Sequence, residues 1–122
     1  MKPLRVLVID DERVICDACD LILSEQGCGV EYCMTGKEGL LAIERAVYDI
    51  VLLDLKLPDL EGMEILKIIR KEKPGFSVIV ITGYDTVPVA VEAMKLGATD
   101  YLGKPFTDDE LIAAVEKACI DA

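Results

Sequence analysis

Five times along the chain a short apolar strand-like run gives way to a longer segment whose apolar residues recur every three or four positions. The short runs are Arg5 to Ile9, Val30 to Cys33, Ile50 to Leu53, Ser77 to Ile81 and Asp100 to Leu102. The first helical segment starts near Arg13, places Ile15, Cys19, Ile22 and Leu23 on one face and stops at Gly27. The second runs from about Lys37 to Ala46 and is expected to bury Leu40, Leu41 and Ile43. The third lies near Met63 to Glu72 and ends before Pro74. The fourth spans roughly Thr86 to Leu96, with Asp85 or Thr86 as its cap, Pro88 in its first turn and Gly97 at its end. The fifth opens on Thr107-x-x-Glu110, a capping box, and carries Leu111, Ala114, Val115 and Ala118 on one face. The first, third and fourth runs are almost unbroken apolar stretches, as parallel strands covered on both faces require. Such an alternation specifies a doubly wound α/β sheet.

With five strands and five helices, the expected architecture is flavodoxin-like, with strand order 2-1-3-4-5. A chain of 122 residues suffices for one such domain, taken as residues 1–122, and is too short for two ordinary ones. Over half the residues are apolar, which excludes a disordered tail. No apolar run reaches membrane-spanning length and no secretion signal opens the chain, so a cytoplasmic protein without membrane contact is expected. The formal net charge of −10 argues against direct nucleic-acid binding. It suits a cation-binding pocket or a basic partner, and equally plain solubility. The five cysteines, Cys16, Cys19, Cys28, Cys33 and Cys119, read as reduced thiols. Cys16 and Cys19 form a C-x-x-C, but within a helical pattern and with no histidine in the chain, so they read as small buried hydrophobes rather than zinc or redox ligands.

In a sheet of this topology ligands sit beyond the carboxyl ends of the strands, near the switch point between strands one and three. Asp10, Asp11 and Glu12 follow the first strand, Asp54 the third, Thr82 and Gly83 the fourth, and Lys104 and Pro105 the fifth. Taken singly, Asp11 is also a plausible helix cap, Lys104 a surface lysine and Thr82 a strand-end residue; together they converge on one small area. Crowded carboxylates at Asp10, Asp11 and Asp54 call for a cation, and oxygen ligands of this kind suit Mg²⁺, with Mn²⁺ an alternative. Asp54 can then act as a nucleophile toward phosphorus, with the Lys104 ammonium and the Thr82 hydroxyl stabilising charge on the transferred group.

Four segments carry a family resemblance that covers essentially the whole chain: "VLVIDDE" (6–12), "DIVLLDLKLPDLEGMEIL" (49–66), "VIVITGY" (78–84) and "AVEAMKLGATDYLGKPF" (90–106). The sequence resembles a two-component response-regulator receiver domain of the CheY-like superfamily. Within it the pattern is most similar to receivers of nitrogen-regulator-type activators and hybrid kinases. The resemblance implies a phosphoacceptor signalling domain that takes a phosphoryl group onto Asp54 from a histidine kinase or phosphotransfer protein. It implies an activity limited to the domain's own phosphorylation and dephosphorylation. Asp11 would ligate Mg²⁺ directly, Asp10 directly or through water, and Lys56 through its backbone carbonyl. Lys104 would pair with the phosphoryl group ahead of a cis bond to Pro105. Thr82 and Tyr101 would form the switch pair, read out by the face of the fourth helix, fifth strand and fifth helix, a surface for an output domain or a homodimer. Lys56 and Tyr84 flank the path of the hydrolytic water in the family, and both are long here, so slow self-dephosphorylation is expected. Pro58 and Asp59 are read as shaping the turn into the third helix, with no chemistry assigned.

The rival readings are weaker. A P-loop needs G-x-x-x-x-G-K-[ST], but at Gly36-Lys37 the first glycine position is Glu31 and the hydroxyl position is Glu38. "GCGVEY" (27–32) lacks the third glycine of a dinucleotide fingerprint and leads into a strand. A haloacid-dehalogenase-type phosphatase would carry a second Asp where Lys56 stands. A flavin-binding flavodoxin would not place Asp-Asp-Glu at its phosphate loop, and a receiver-like scaffold that only binds proteins remains as a third alternative.

Overall fold

A computed structural model describes residues 3–83 and 87–121, with side chains through Cys119. The elements run β1 (Arg5–Ile9), α1 (Arg13–Glu25), β2 (Gly29–Cys33), α2 (Gly36–Arg45), β3 (Ile50–Asp54), α3 (Gly62–Glu72), β4 (Ser77–Thr82), α4 (Val87–Lys95), β5 (Asp100–Gly103) and α5 (Asp108–Asp121). The five strands form one parallel sheet in the order β2-β1-β3-β4-β5.

Alternation along the strands sorts the core into two layers. Leu7, Ile9, Val51, Leu53, Val78 and Val80 face the layer that holds Ile43 of α2, Ile65, Leu66 and Ile69 of α3, and Ala93 of α4. Val6, Val8, Ile50, Leu52, Ile79 and Ile81 face the opposite layer, with Cys16, Cys19 and Leu23 of α1 and Leu111, Ala114, Val115 and Ala118 of α5. Every residue of β3 and β4 is buried, because helices cover both faces. Each large side chain so enclosed contributes about 1.5–3 kcal/mol. The central strands therefore form a stiff base, and whatever stands at their carboxyl ends inherits that rigidity.

Helix ends follow the local chemistry. Gly27 takes φ +88° just past α1, a conformation that favours glycine. Thr107 and Glu110 complete their capping box: the Thr107 N–H donates to Glu110 Oε1 (2.9 Å) and the Glu110 N–H to Thr107 Oγ1 (3.1 Å). Thr35 caps α2 by accepting the Glu38 N–H at 3.2 Å, so that helix starts at Gly36, a residue earlier than expected. One expectation is corrected on α2. Leu41 is 46% exposed; Ile43 fills the core and Leu40 packs partly against it, because the buried stripe of this helix runs through Gly36, Gly39 and Ile43. The capping expectation at Asp85 and Thr86 falls outside the described residues.

Candidate functional site

Asp10 follows β1 and has no exposed surface. Its backbone is fixed twice: its N–H donates to the Cys33 carbonyl (3.1 Å), and its own carbonyl accepts from the Cys16 thiol (3.3 Å). The side-chain Oδ1 accepts the Glu12 N–H at 2.8 Å. Asp54, the last residue of β3, is 3% exposed, and its Oδ1 accepts the Lys56 N–H at 3.2 Å. Lys104, just past β5, reaches back across the sheet edge. Its ammonium lies 2.8 Å from Asp10 Oδ2, 3.1 Å from Asp54 Oδ2 and 2.7 Å from Glu12 Oε1. Its own N–H donates to the Thr82 carbonyl at 3.0 Å, which ties β5's exit to β4's end, and the Lys104–Pro105 peptide is cis. A cleft of about 700 Å³ opens above this floor, bordered by Asp11, Glu12, Asp54, Lys56, Thr82 and Lys104 among others.

The electrostatics favour a cation. The Asp10 carboxyl is raised to about 6 on balance: burial pushes it up, the Lys104 ammonium and the Glu12 N–H pull it down, and the neighbouring charge of Asp54 adds to the rise. Burial alone would lower Lys104, but its bonds to Asp10 and Glu12 and the charges of Asp10 and Asp54 outweigh that and hold it well above the usual lysine range. Asp10, Asp11, Glu12 and Asp54 each offer a carboxylate oxygen, all within 4.8 Å of one another. These four are hard oxygen donors at a crowded, partly buried point where one ammonium is the near countercharge. The donor set fits a small divalent cation of the Mg²⁺ type.

Asp10, Asp11, Asp54, Lys56, Thr82 and Lys104 thus share one strand-end region. Asp10, Asp11, Asp54 and Lys104 form the charged cluster, and buried Thr82 borders the same cleft. The Lys56 side chain is exposed beside it, while its backbone touches Asp54. Tyr101 is half-buried on β5 and packs against the α2–α3–α4 layer. Tyr84 lies outside the described residues. Glu12, placed beyond β1 by the sequence but given no role there, joins the cluster and the Lys104 pairing. Two further participants were not anticipated. Cys16 braces the Asp10 backbone, which no spacing announces. Asp59 does more than shape the turn into α3. Its carboxylate accepts the Gly36 N–H (2.7 Å) and the Lys37 N–H (2.9 Å) at the start of α2, and these two bonds hold it below its ordinary carboxylate range. That bridge joins residues over twenty positions apart and has no sequence signature.

The sequence profile of the response regulator receiver domain matches residues 6–116. The chain belongs to this family. As a receiver it is a phosphoacceptor module of two-component signalling. It is similar to the transcriptional regulatory protein FixJ of Bradyrhizobium diazoefficiens, with 39% identity over 114 residues that cover 93% of this chain and 56% of that protein. Among solved structures, a CheY-like receiver domain protein from Methanospirillum hungatei superposes with a TM-score of 0.93 at 34% identity, covering 98% of this chain and 96% of that one. The BeF3-activated receiver domain of DrrB, a Thermotoga maritima protein, gives a TM-score of 0.90 at 28% identity, covering 98% and 99%. The receiver spans about a quarter to just over half the length of the curated relatives it matches. Among its described residues no helix is long and apolar enough to cross a membrane.

Proposed function

We propose that Asp54 is the phospho-acceptor of this receiver, that Asp10, Asp11, Asp54 and the Lys56 backbone carbonyl hold Mg²⁺, and that Lys104 and Thr82 serve the transferred group. The observation that carries the reading is the placement of Asp54. A carboxylate ends a fully buried central strand, opens onto a cleft, and stands 3.1 Å from a lysine ammonium within a four-carboxylate cluster.

An Asp54 oxygen attacks phosphorus of a phosphohistidine or a small acyl phosphate. A P–O bond forms to Asp54 as the bond to the donor's nitrogen or oxygen breaks and the donor keeps that electron pair. Bound Mg²⁺ supplies charge neutralisation at the phosphoryl oxygens and relieves repulsion among the carboxylates. The Lys104 ammonium exchanges a carboxylate partner for a phosphoryl oxygen, and the Thr82 hydroxyl donates to another. Rigid strands fix the nucleophile, so little reorganisation is needed at the moment of transfer. Tyr101, with Thr82, couples the new charge to the face of α4, β5 and α5, where Val87, Val91 and Met94 are exposed on α4. That face serves an output domain or a second copy, and the donor is a histidine kinase or phosphotransfer protein in the cytoplasm. Nucleic acid is not contacted directly. The receiver's own chemistry is confined to gaining and losing its phosphoryl group, and the Lys56 side chain, exposed beside the cleft, slows the loss by crowding the water's approach.

The test is incubation with Mg²⁺ and acetyl phosphate. Intact mass is expected to rise by one phosphoryl group, and Asp54→Asn to abolish the gain. Absence of any gain in the native chain favours a receiver-like scaffold. Steady turnover of phosphate esters favours a phosphatase.

A further inference from the structure

The segment between β3 and α3 is strapped at both ends. At its base the Gly62 N–H donates to the Leu55 carbonyl at 2.9 Å, and Lys56 pairs with Glu61 in an isolated antiparallel bridge. At its tip the two oxygens of Asp59 take the first two N–H groups of α2, Gly36 and Lys37, at 2.7 and 2.9 Å. Helix α2 is itself seated on β1. A Cβ at Gly39 would fall 2.6 Å from Ile9 Cδ1, so the helix lies against the residue that precedes Asp10. The loop that carries Lys56 is therefore tied, through one carboxylate, to the element that rests on the Asp10 strand. Lys56 in turn donates its N–H to Asp54 Oδ1.

We infer that Asp59 is a positioning residue for the phosphoacceptor site: its twofold bond to the start of α2 holds the loop so that the Lys56 backbone keeps Asp54 oriented and keeps the Lys56 carbonyl in place for the cation. Asp59 touches neither the cation nor the phosphoryl group; the sheet ladder already sets β1 against β3, and Asp59 acts by holding the β3–α3 loop against the start of α2. A capping role alone would affect α2 and nothing at Asp54. Asp59 bonds to no ligand directly and reaches the site only through the loop backbone. The inference rests on the reading of Asp54 as acceptor.

The experiment compares the native chain with Asp59→Ala, Asp59→Asn and Thr35→Ala. Thr35→Ala removes the other α2 cap, the bond to the Glu38 N–H, and leaves the loop untouched. Mg²⁺ is titrated with the Lys56 and Asp54 amide signals as readout, and acetyl phosphate labelling is followed at subsaturating Mg²⁺. Asp59→Ala is expected to weaken Mg²⁺ binding clearly beyond the margin allowed for Thr35→Ala, with slower labelling. Asp59→Asn, which keeps one good acceptor oxygen, is expected to recover part of the loss. Thr35→Ala is expected to lower the melting temperature while leaving Mg²⁺ affinity within twofold. The inference is overturned if both Asp59 variants bind Mg²⁺ like the native chain, or if Thr35→Ala weakens it as much. Should Asp59→Ala not fold, the comparison of Asp59→Asn with Thr35→Ala decides alone. Labelling that persists in Asp54→Asn would instead overturn the acceptor assignment, while the Mg²⁺ titrations still judge Asp59.

Discussion

Lys104 Nζ stands 2.8 Å from Oδ2 of Asp10, a carboxylate with no exposed surface. The pair sits where β1 and β5 leave the sheet, two strands that do not touch, with β3 and β4 between them. The same ammonium also meets Asp54 at 3.1 Å, so one side chain compensates the two most buried acids of the site.

Replacing Lys104 by Met should therefore leave buried negative charge without its partner. Breaking a buried pair costs a few kcal/mol, and Asp10 escapes part of that by taking a proton, so a loss of about 1–3 kcal/mol is expected. Mg²⁺ should offset more of the loss in Lys104→Met than it adds to the native chain, since a divalent cation can stand in for the missing ammonium. Thermal melts with and without Mg²⁺ check this. Equal Mg²⁺-induced shifts in the two proteins would contradict a shared charge role for the ammonium and the cation.

Gly62 begins α3 so close to the acceptor strand that a Cβ there would lie 2.4 Å from Leu55 Cα and 2.5 Å from the Asp54 carbonyl oxygen. Both neighbours are backbone and cannot swing aside. Gly62→Ala should destabilise by about 1–3 kcal/mol and slow acetyl phosphate labelling, because the chain next to Asp54 must move. Gly75→Ala, where a Cβ meets nothing within 4 Å, should stay within about 0.5 kcal/mol of the native chain. Paired denaturant melts and labelling rates separate the two.

The sheet was legible because its signal is redundant. The three central strands β1, β3 and β4 are nearly continuous apolar runs, the helices have their own periodicity, and parallel pairing follows from their alternation. Strand-end chemistry was legible for the same reason: once β1, β3, β4 and β5 are placed, Asp10, Asp54, Thr82 and Lys104 must gather at one edge. Leu41 escaped because a ten-residue helix shows a broad apolar stripe whose margin depends on neighbours in space, and here Gly36 and Gly39 bring α2 down along a different line. Asp59 escaped because its partners are backbone N–H groups of another element, and backbone donors leave no mark on the sequence.

The thiols should divide by burial. Cys16 and Cys19 are fully buried on the inner face of α1, and burial, with neighbouring charge, pushes both up to about 12. Cys28, Cys33 and Cys119 are half-buried and also raised, chiefly by burial. A disulfide reagent at neutral pH should label the second group first and reach Cys16 and Cys19 only as fast as the fold opens. A single rate for all five would show that α1 does not shield its thiols.

The Asp59 bridge should have its own pH signature. Its carboxyl lies below the ordinary 3.8, chiefly because the Gly36 N–H and then the Lys37 N–H bond to its ionised form, aided by the Lys37 charge and opposed by slight desolvation. An acid with a lowered folded value contributes stability that is fully present above its unfolded value and is lost as pH falls through the folded one. Between neutrality and pH 5 the bridge should therefore hold, and the Gly36 and Lys37 amide signals should stay downfield. Below pH 4 both should move together with one midpoint, lower than that of an ordinary exposed aspartate. Asp59→Asn should remove this inflection while the rest of the acid titration remains. Independent midpoints for the two amides would show that they do not share one carboxylate.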